Sequence, residues 1–180
     1  LHVFSEMEER LRSGDPLQGT LRLGTSNVFA STCLPALVSR LERTYPRLRI
    51  EITASNSVQL ADMLDANQLD VCFLAQGEQA RSLVATEELG ECDIAWLGSP
   101  NTRLKDATVD PEELRERNIL TVSPPSLLSR IVIDWFATAK MPPPSLSVCN
   151  NVLIVSNLVA SGIALSALPV CLLKSQIDNG

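Results

Sequence analysis

The chain has 180 residues, of which 45% are hydrophobic and 20% charged, a composition typical of a globular domain that can bury a substantial core. Its formal net charge of −6 argues against nucleic-acid binding by this segment, because phosphate contacts require clustered Lys and Arg. The five cysteines form no CxxC pair and have no nearby histidine, which argues against a zinc site. They are expected to be reduced core thiols, which indicates a cytoplasmic location: Cys33, Cys72, Cys92, Cys149 and Cys171.

An uncharged stretch between Lys140 and Lys174 raises the alternative of a membrane span, which needs roughly 18 or more apolar residues. Polar and helix-breaking residues interrupt this stretch at a density that would be costly in lipid: Ser156, Asn157, Ser161, Gly162, Ser166 and Pro169. The first residues, 1–15, are charged throughout, so no secretory signal is visible. The sequence therefore favours a protein that does not enter a membrane.

The first half of the chain predicts a parallel α/β unit, preceded by the tail of an amphipathic helix over residues 1–13. Apolar alternation and helical spacing predict the elements in this order: strand 17–24, a helix capped by Ser31 or Thr32 and running to Thr44, strand 48–54, helix 58–67 and strand 70–75. The last of these strands is expected to be buried on both faces, since it is apolar throughout. Strands that alternate with helices in this way predict a doubly wound parallel sheet.

The second half predicts another α/β unit, which the chain enters by a crossing near residues 86–93. Its predicted elements are strands 86–89 and 93–97, helix 111–117, strand 118–122, helix 127–139, strand 145–148, a helix that starts at Val152, and strand 163–168. Gly162 stands where the late helix should end, because a helix C-terminus favours a residue that tolerates positive φ. Pro169 suits the first turn of a further helix.

Polar side chains follow the predicted strands at turns that lead into helices. Helix N-termini carry unpaired N–H groups and a partial positive charge, so these turns favour an anion such as a carboxylate. The candidate ligand-binding residues are Ser26, Asn27, Asn56, Ser57 and Gln76 in the first half and Ser123, Ser126, Asn150 and Asn151 in the second. Plain helix capping is the alternative interpretation, since Ser and Asn are preferred caps, and a cap can also face a ligand.

Three larger side chains allow two interpretations each. Arg130 lies about one turn into the helix after Ser126, where it could pair with a ligand carboxylate or simply be solvated. Trp96 and Trp135 are expected to pack in the core or at an interface, with ligand stacking as the alternative.

Enzymatic activity finds no support in the sequence. The single histidine, His2, lies in the N-terminal helix, and no GxSxG, HExxH, P-loop or GxGxxG motif occurs. The paired acids Glu87-Glu88 and Glu112-Glu113 lie in polar stretches, and no base is available to activate a cysteine. The sequence predicts a protein that is not an enzyme and needs no metal or cofactor.

An ordered set of motifs covers residues 1–178. They are Gly19-Thr20-Leu21-Arg22-Leu23-Gly24, Leu34-Pro35-Ala36-Leu37, Tyr45-Pro46, Arg49-Ile50-Glu51-Ile52, Leu69-Asp70-Val71-Cys72-Phe73, and the late stretch from Leu158 to Leu165 followed by Leu168-Pro169. This set resembles the effector-binding domain of LysR-type transcriptional regulators. The resemblance implies two Rossmann-like lobes with mostly parallel sheets, similar to type 2 periplasmic binding proteins, and a ligand cleft between them. It assigns residues 1–16 to the end of a linker helix, 17–88 to the first lobe and 89–180 to the second.

The resemblance also implies the partners. A small-molecule effector, a carboxylate or another polar metabolite, would bind in the cleft and alter a homodimer or tetramer. DNA would be contacted only through a winged helix-turn-helix, which this sequence does not contain, and no membrane is involved. The family's return segment, which completes the first lobe, is expected to be missing after residue 180, leaving an exposed sheet edge. Two other classes share the fold: a solute-binding protein and a metabolic enzyme.

Overall fold

The computed structural model describes residues 17–75, 85–102, 108–142 and 146–178. Contacts divide the chain into two units, residues 1–91 and 92–180, each with strands of its own. The helix predicted over 1–13 and the candidate residue Gln76 lie outside the described residues. The assignment of residues 1–16, 17–88 and 89–180 to a linker helix and two lobes stays a prediction.

The first unit contains a parallel sheet of three strands in the order β2-β1-β3. Its elements are β1 (Gly19–Thr25), α1 (Asn27–Thr32), α2 (Leu34–Thr44), β2 (Leu48–Ala54), α3 (Ser57–Asp65) and β3 (Val71–Phe73). The register pairs Thr25 of the central strand with both Ala54 and Phe73. All three strands therefore end level, which brings the turns that follow them to one edge of the sheet.

Gly24 allows α3 and the loop after it to pack closely on the central strand. A Cβ atom at this position would lie 2.6 Å from Leu69 Cδ1 and 3.0 Å from Leu60 Cδ2. Both leucines are buried, with Leu60 fully inaccessible and Leu69 4% exposed. Only a residue without a side chain fits this position while these contacts are kept.

The helix predicted to start at Ser31 or Thr32 is two helices, and the first starts earlier. Ser26 caps α1, and the hydroxyl of Thr32 donates to the Val28 carbonyl inside it, so Thr32 is not a cap. The break falls at Cys33, because Pro35 in the first turn of α2 has no N–H to continue the α1 hydrogen-bond pattern. On α2, Leu34 is buried, whereas Leu37, Val38 and Leu41 are only half-buried.

Two predictions about strands in this part of the chain are wrong. The strand β3 has only three residues and is not buried on both faces, since Val71 is 36% exposed. Among the described residues it pairs with β1 alone, so one of its sides lacks a neighbouring strand. The strand predicted over 86–89 does not form, and Leu89 is 55% exposed, because none of the strands in the described ranges pairs with this segment.

The second unit contains β4 (Ile94–Leu97), α4 (Pro111–Leu114), β5 (Ile119–Val122), α5 (Leu127–Thr138), β6 (Leu146–Cys149), α6 (Val152–Ala160), β7 (Ser166–Pro169) and α7 (Lys174–Asp178). The strands β5 and β6 are parallel, and a parallel bridge from Ile119 to Leu165 places β7 on the other side of β5. The strand β4 pairs antiparallel with β7. The order is thus β6-β5-β7-β4, with β4 as the antiparallel member.

The core of this unit forms where α4 and α5 pack on the sheet. Its buried members are Leu114, Ile119, Val132, Phe136, Leu165 and Ala167. The late helix α6 ends as predicted: Gly162 has φ of +76°, and the N–H of Ile163 donates to the Leu158 carbonyl at 3.1 Å. Pro169 ends β7 and is the N-cap of a short 3-10 helix, Val170–Leu172, so the predicted helix starts one residue after Pro169 and is of the 3-10 type.

The expectation that the cysteines fill the core is also wrong. Cys33 and Cys92 are exposed, and Cys72, Cys149 and Cys171 are half-buried. Apolar neighbours in the sequence do not determine which way a side chain faces, because alternate strand residues point to opposite sides.

Candidate functional site

The turns after β1, β2 and β3 lie side by side in the first unit. The N–H of Ser26 donates to the Phe73 carbonyl at 2.9 Å, and the N–H of Ser55 donates to the Thr25 carbonyl at 3.2 Å. These bonds continue the pairing of β1 with β3 and of β1 with β2 by one residue beyond the ends of the strands. They bring together four of the predicted site residues, called here the first turn cluster: Ser26, Asn27, Asn56 and Ser57.

Three members of the first turn cluster already have an intramolecular role. Asn56 Oδ1 accepts a hydrogen bond from the Gln59 N–H at 2.9 Å, which caps α3. Ser26 Oγ accepts from the Phe29 N–H at 3.4 Å, a long and weak cap for α1. Ser57 Oγ accepts from the Ala75 N–H at 3.2 Å and so ties the turn after β3 to α3. The capping interpretation is therefore observed for Ser26 and Asn56.

Asn27 differs from its neighbours. It is half-buried, and its side-chain amide makes no hydrogen bond to another residue within the described ranges. Its main-chain carbonyl accepts from the Ser31 hydroxyl at 2.9 Å. In the first turn cluster, Asn27 thus has the side chain with the most hydrogen-bonding capacity left for a ligand.

The predicted residues of the second unit form a second turn cluster: Ser123, Ser126, Asn150 and Asn151. The strands β5 and β6 end level at Val122 and Cys149, and the N–H of Ser123 donates to the Cys149 carbonyl at 3.0 Å. Ser123 and Asn150 therefore follow neighbouring strand ends at the same edge. Asn151 caps α6 by accepting from the Leu153 N–H at 2.9 Å.

Ser126 stands at the N-cap position of α5 with extended backbone, but its hydroxyl makes no capping bond. The first N–H groups of this 12-residue helix are thus left without the side-chain partner that a serine normally supplies. Arg130 lies one turn further on and is exposed, and its N–H donates to the Ser126 carbonyl at 3.1 Å. Four of the candidate residues stand at N-cap positions: Ser26, Asn56 and Asn151 make the capping bond, and Ser126 does not.

Sequence reasoning missed two features near the strand ends. The rings of Phe29 and Phe73 stack in parallel at 4.1 Å and hold α1 against the end of β3. Thr121, on β5, is 1% exposed, and its hydroxyl has no hydrogen-bond partner within the described part of the chain. A threonine within an apolar strand is the sequence signal for Thr121, whereas nothing in the sequence pairs the two phenylalanines.

Trp96 on β4 and Trp135 on α5 both belong to the second unit. Their rings are 5.0 Å apart and pack beside Phe136 on the core of the second unit. With five aliphatic residues they line a cavity of about 140 Å³: Ile94, Ala95, Ile131, Val132 and Ala167. Apart from the indole N–H groups, this lining has no polar side-chain atom to orient a charged ligand, and it includes no predicted site residue.

Other kinds of site find no support in the described residues. Within those ranges no group of three His, Cys, Asp or Glu side chains could hold a metal ion. No helix in the part of the chain that the structure describes is both long and apolar enough to cross a membrane. Burial raises the pKa of the Cys72 thiol, which favours the protonated, weakly nucleophilic form.

Comparison with known proteins identifies relatives along the whole described length. The model of the LysR substrate binding domain family matches residues 14–180. The malonate utilization transcriptional regulator of Klebsiella pneumoniae is 25% identical over 156 residues, which are 84% of this chain and 50% of that protein. The chain spans about half the length of such curated relatives.

Solved structures share the mixed α/β fold with mostly parallel sheets. CrgA, a LysR-type transcriptional regulator from Neisseria meningitidis, matches with a TM-score of 0.75 at 23% identity, over 98% of this chain and 58% of that chain. The effector-binding domain of BenM, a regulator from Acinetobacter baylyi, was solved with its effector benzoate. It matches with a TM-score of 0.66 at 22% identity, over 84% of this chain and 70% of that chain. Because both identities are below 25%, these two matches show only that this chain shares the fold of such domains.

Proposed function

The chain belongs to the LysR substrate binding domain family, and on that premise we propose that its turn clusters bind a small carboxylate effector of a transcriptional regulator. The relatives reported above are transcriptional regulators and not enzymes. Within such a regulator, effector binding favours one of two arrangements of the protein, and the difference in affinity drives the change. DNA is contacted by a part of the regulator outside this chain.

The observation that carries the proposal is the uncapped N-terminus of α5 beside Ser126. The N–H groups of its first turn and the hydroxyl of Ser126 are donors, which suit a carboxylate oxygen. In the first unit Asn27 directly follows the turn after β1, at the edge where all three strands end level. Benzoate, the effector of BenM, is itself a carboxylate.

Aspartate substitutions separate ligand binding from helix capping. Aspartate caps a helix as well as serine or asparagine does, so Ser26→Asp, Ser126→Asp and Asn151→Asp keep or improve the cap while adding a negative charge. We expect the free energy of unfolding of each variant to lie within about 0.5 kcal/mol of that of the parent protein, since surface changes of this kind have small effects. Where the substituted residue contacts the ligand, affinity for a carboxylate should fall at least about tenfold. This corresponds to a loss of about 1.4 kcal/mol in binding free energy.

The matched control is Ser39→Asp, which adds the same charge on the exposed surface of α2 outside both turn clusters. Affinity for a carboxylate that binds the parent protein, measured by calorimetric titration, should be unchanged in this control. Equal affinity in the parent, the control and all three cluster variants would refute the assignment of the turn clusters.

We further propose that the regulator is a homodimer or tetramer and acts in the cytoplasm, where its DNA target lies. Apolar side chains on outer strands support self-association: Ile52 on β2 is 47% exposed and Val148 on β6 is 56% exposed. Sedimentation equilibrium of this chain tests the proposal. A chain that stays monomeric at a protein concentration of about 100 μM, about 100 times a micromolar Kd for dimers, would contradict it.

A further inference from the structure

Cys92 and Cys171 face each other across the end of the antiparallel pair formed by β4 and β7. The ladder pairs Ile94 with Pro169, and the N–H of Val170 donates to the Asp93 carbonyl at 2.9 Å. Cys92 precedes Asp93, and Cys171 follows Val170 in the 3-10 helix after β7. Their Sγ atoms are 2.9 Å apart, close enough for direct contact.

The distance between the two thiols also suits a covalent link. Cys171 lies in the 3-10 helix Val170–Leu172 that follows β7, and its Sγ atom is 2.9 Å from that of Cys92. The S–S bond of a disulfide is about 2.05 Å long, so the two sulfur atoms need to approach by less than about 1 Å to form it.

The two thiols are accessible to a small reagent. Cys92 is exposed and Cys171 half-buried, and no disulfide joins cysteines in this structure. Two of the other cysteines differ in their surroundings: Cys33 Sγ lies 3.5 Å from the Thr32 hydroxyl oxygen, and Cys149 Sγ lies 3.7 Å from the Asn151 carbonyl. An exposed thiol beside a second thiol is the arrangement in which a mixed disulfide is resolved internally.

We propose that Cys92 and Cys171 form a reversible disulfide by exchange with a small-molecule disulfide such as oxidised glutathione. The thiolate of Cys92 attacks one sulfur of the reagent, and one glutathione thiolate leaves. Cys171, once deprotonated, then attacks Sγ of Cys92 and displaces the second glutathione. Two cysteine thiols are oxidised, one small-molecule disulfide is reduced to two thiols, and the two cysteine protons end on the released glutathiones.

The bond would link residues 79 positions apart and fix the chain where the second unit begins. Closing a loop of this length restricts the unfolded chain and stabilises the folded one. The oxidised protein should therefore melt higher than the reduced protein by about 5–15 °C, the range that corresponds to an ordinary disulfide in a chain of this size.

Mass spectrometry of the unmodified chain tests the proposal. The protein is equilibrated in glutathione buffers from fully reduced to fully oxidised, quenched with acid, alkylated and mapped by peptide. Oxidation should yield one linkage, between the peptides that contain Cys92 and Cys171, with the loss of two hydrogens and no glutathione on either residue. Exposed Cys33 is the internal control and should carry glutathione as a mixed disulfide.

Variants make the test decisive. Cys171→Ser should leave Cys92 carrying a stable glutathione adduct, and Cys33→Ser should leave the linkage intact. Stable glutathione adducts on Cys92 in the parent protein would overturn the proposal. So would alkylation of both residues in fully oxidised buffer, or a linkage of either residue to another cysteine.

Discussion

Arg22 and Asp70 join the central strand of the first unit to the start of β3 by both main chain and side chain. The Arg22 guanidinium contacts both carboxylate oxygens of Asp70, at 2.6 Å and 3.2 Å. The N–H of Arg22 donates to the same carboxylate at 2.7 Å, and the N–H of Asp70 donates to the Arg22 carbonyl at 2.8 Å. Arg22 also reaches the carbonyl of Asn67, whose φ is +55°, so one side chain fixes the loop that leads into β3.

This arrangement predicts a pH dependence for Asp70. The hydrogen bonds from the Arg22 side chain and N–H lower the pKa of Asp70 below its usual 3.8. Because the pKa is lowered in the folded state, the stabilisation is complete above the unfolded pKa and is lost as pH falls through the folded pKa. Asp70→Asn should unfold at lower urea than the parent at pH 7, and the gap between the two proteins should narrow below about pH 4. A gap that stays constant down to pH 3 would contradict this assignment.

The contact between Gly24 and Leu69 predicts a strict size limit at that position. Gly24→Ala would place a methyl group 2.6 Å from Leu69 Cδ1, so the leucine or the strand must move. We expect a loss of about 1–3 kcal/mol in the free energy of unfolding, the usual range for overpacking a core. Urea denaturation monitored by circular dichroism measures it, and a variant as stable as the parent would show that the packing relaxes freely.

Substitutions on the buried and the exposed face of α5 should differ strongly in their effect on stability. Phe136 is fully buried in the core of the second unit, whereas Ile133, on the same helix, is 42% exposed. Phe136→Ala should cost about 3–5 kcal/mol of stability, and Ile133→Ala, the matched control, at most about 0.5 kcal/mol. If both variants melt alike in thermal denaturation, the orientation of α5 is wrong.

Regular periodicity and end signals made most elements predictable. The strand over 48–54 and the end of α6 at Gly162 follow directly from alternation and from the glycine preference at helix ends. The prediction that α1 starts late failed because polar residues after β1 suggested a turn, while Ser26 is itself the cap. The short β3 and the absent strand over 86–89 depend on which strands pair, and no local pattern encodes that.

The candidate site likewise has features that the sequence predicted and features that it did not. Asn56 and Asn151 were recognisable as caps from their place before helices, and both are caps. The missing capping bond of Ser126 could not be predicted, because a serine in that position normally bonds to its own helix. The meeting of Cys92 with Cys171, and of Phe29 with Phe73, arises from contacts between residues distant in the sequence.

The measurement that tests the central claim most directly is the thermal unfolding midpoint of this chain with small carboxylates, benzoate and malonate among them, beside their neutral amides. A ligand that binds only the folded state stabilises it by about 2.7 kcal/mol at about 100 times its Kd. The proposed function predicts that at least one carboxylate raises the midpoint in a concentration-dependent way and that its amide does not. A protein that unfolds cooperatively and shows no shift with any carboxylate, or an equal shift with the amide, would contradict it.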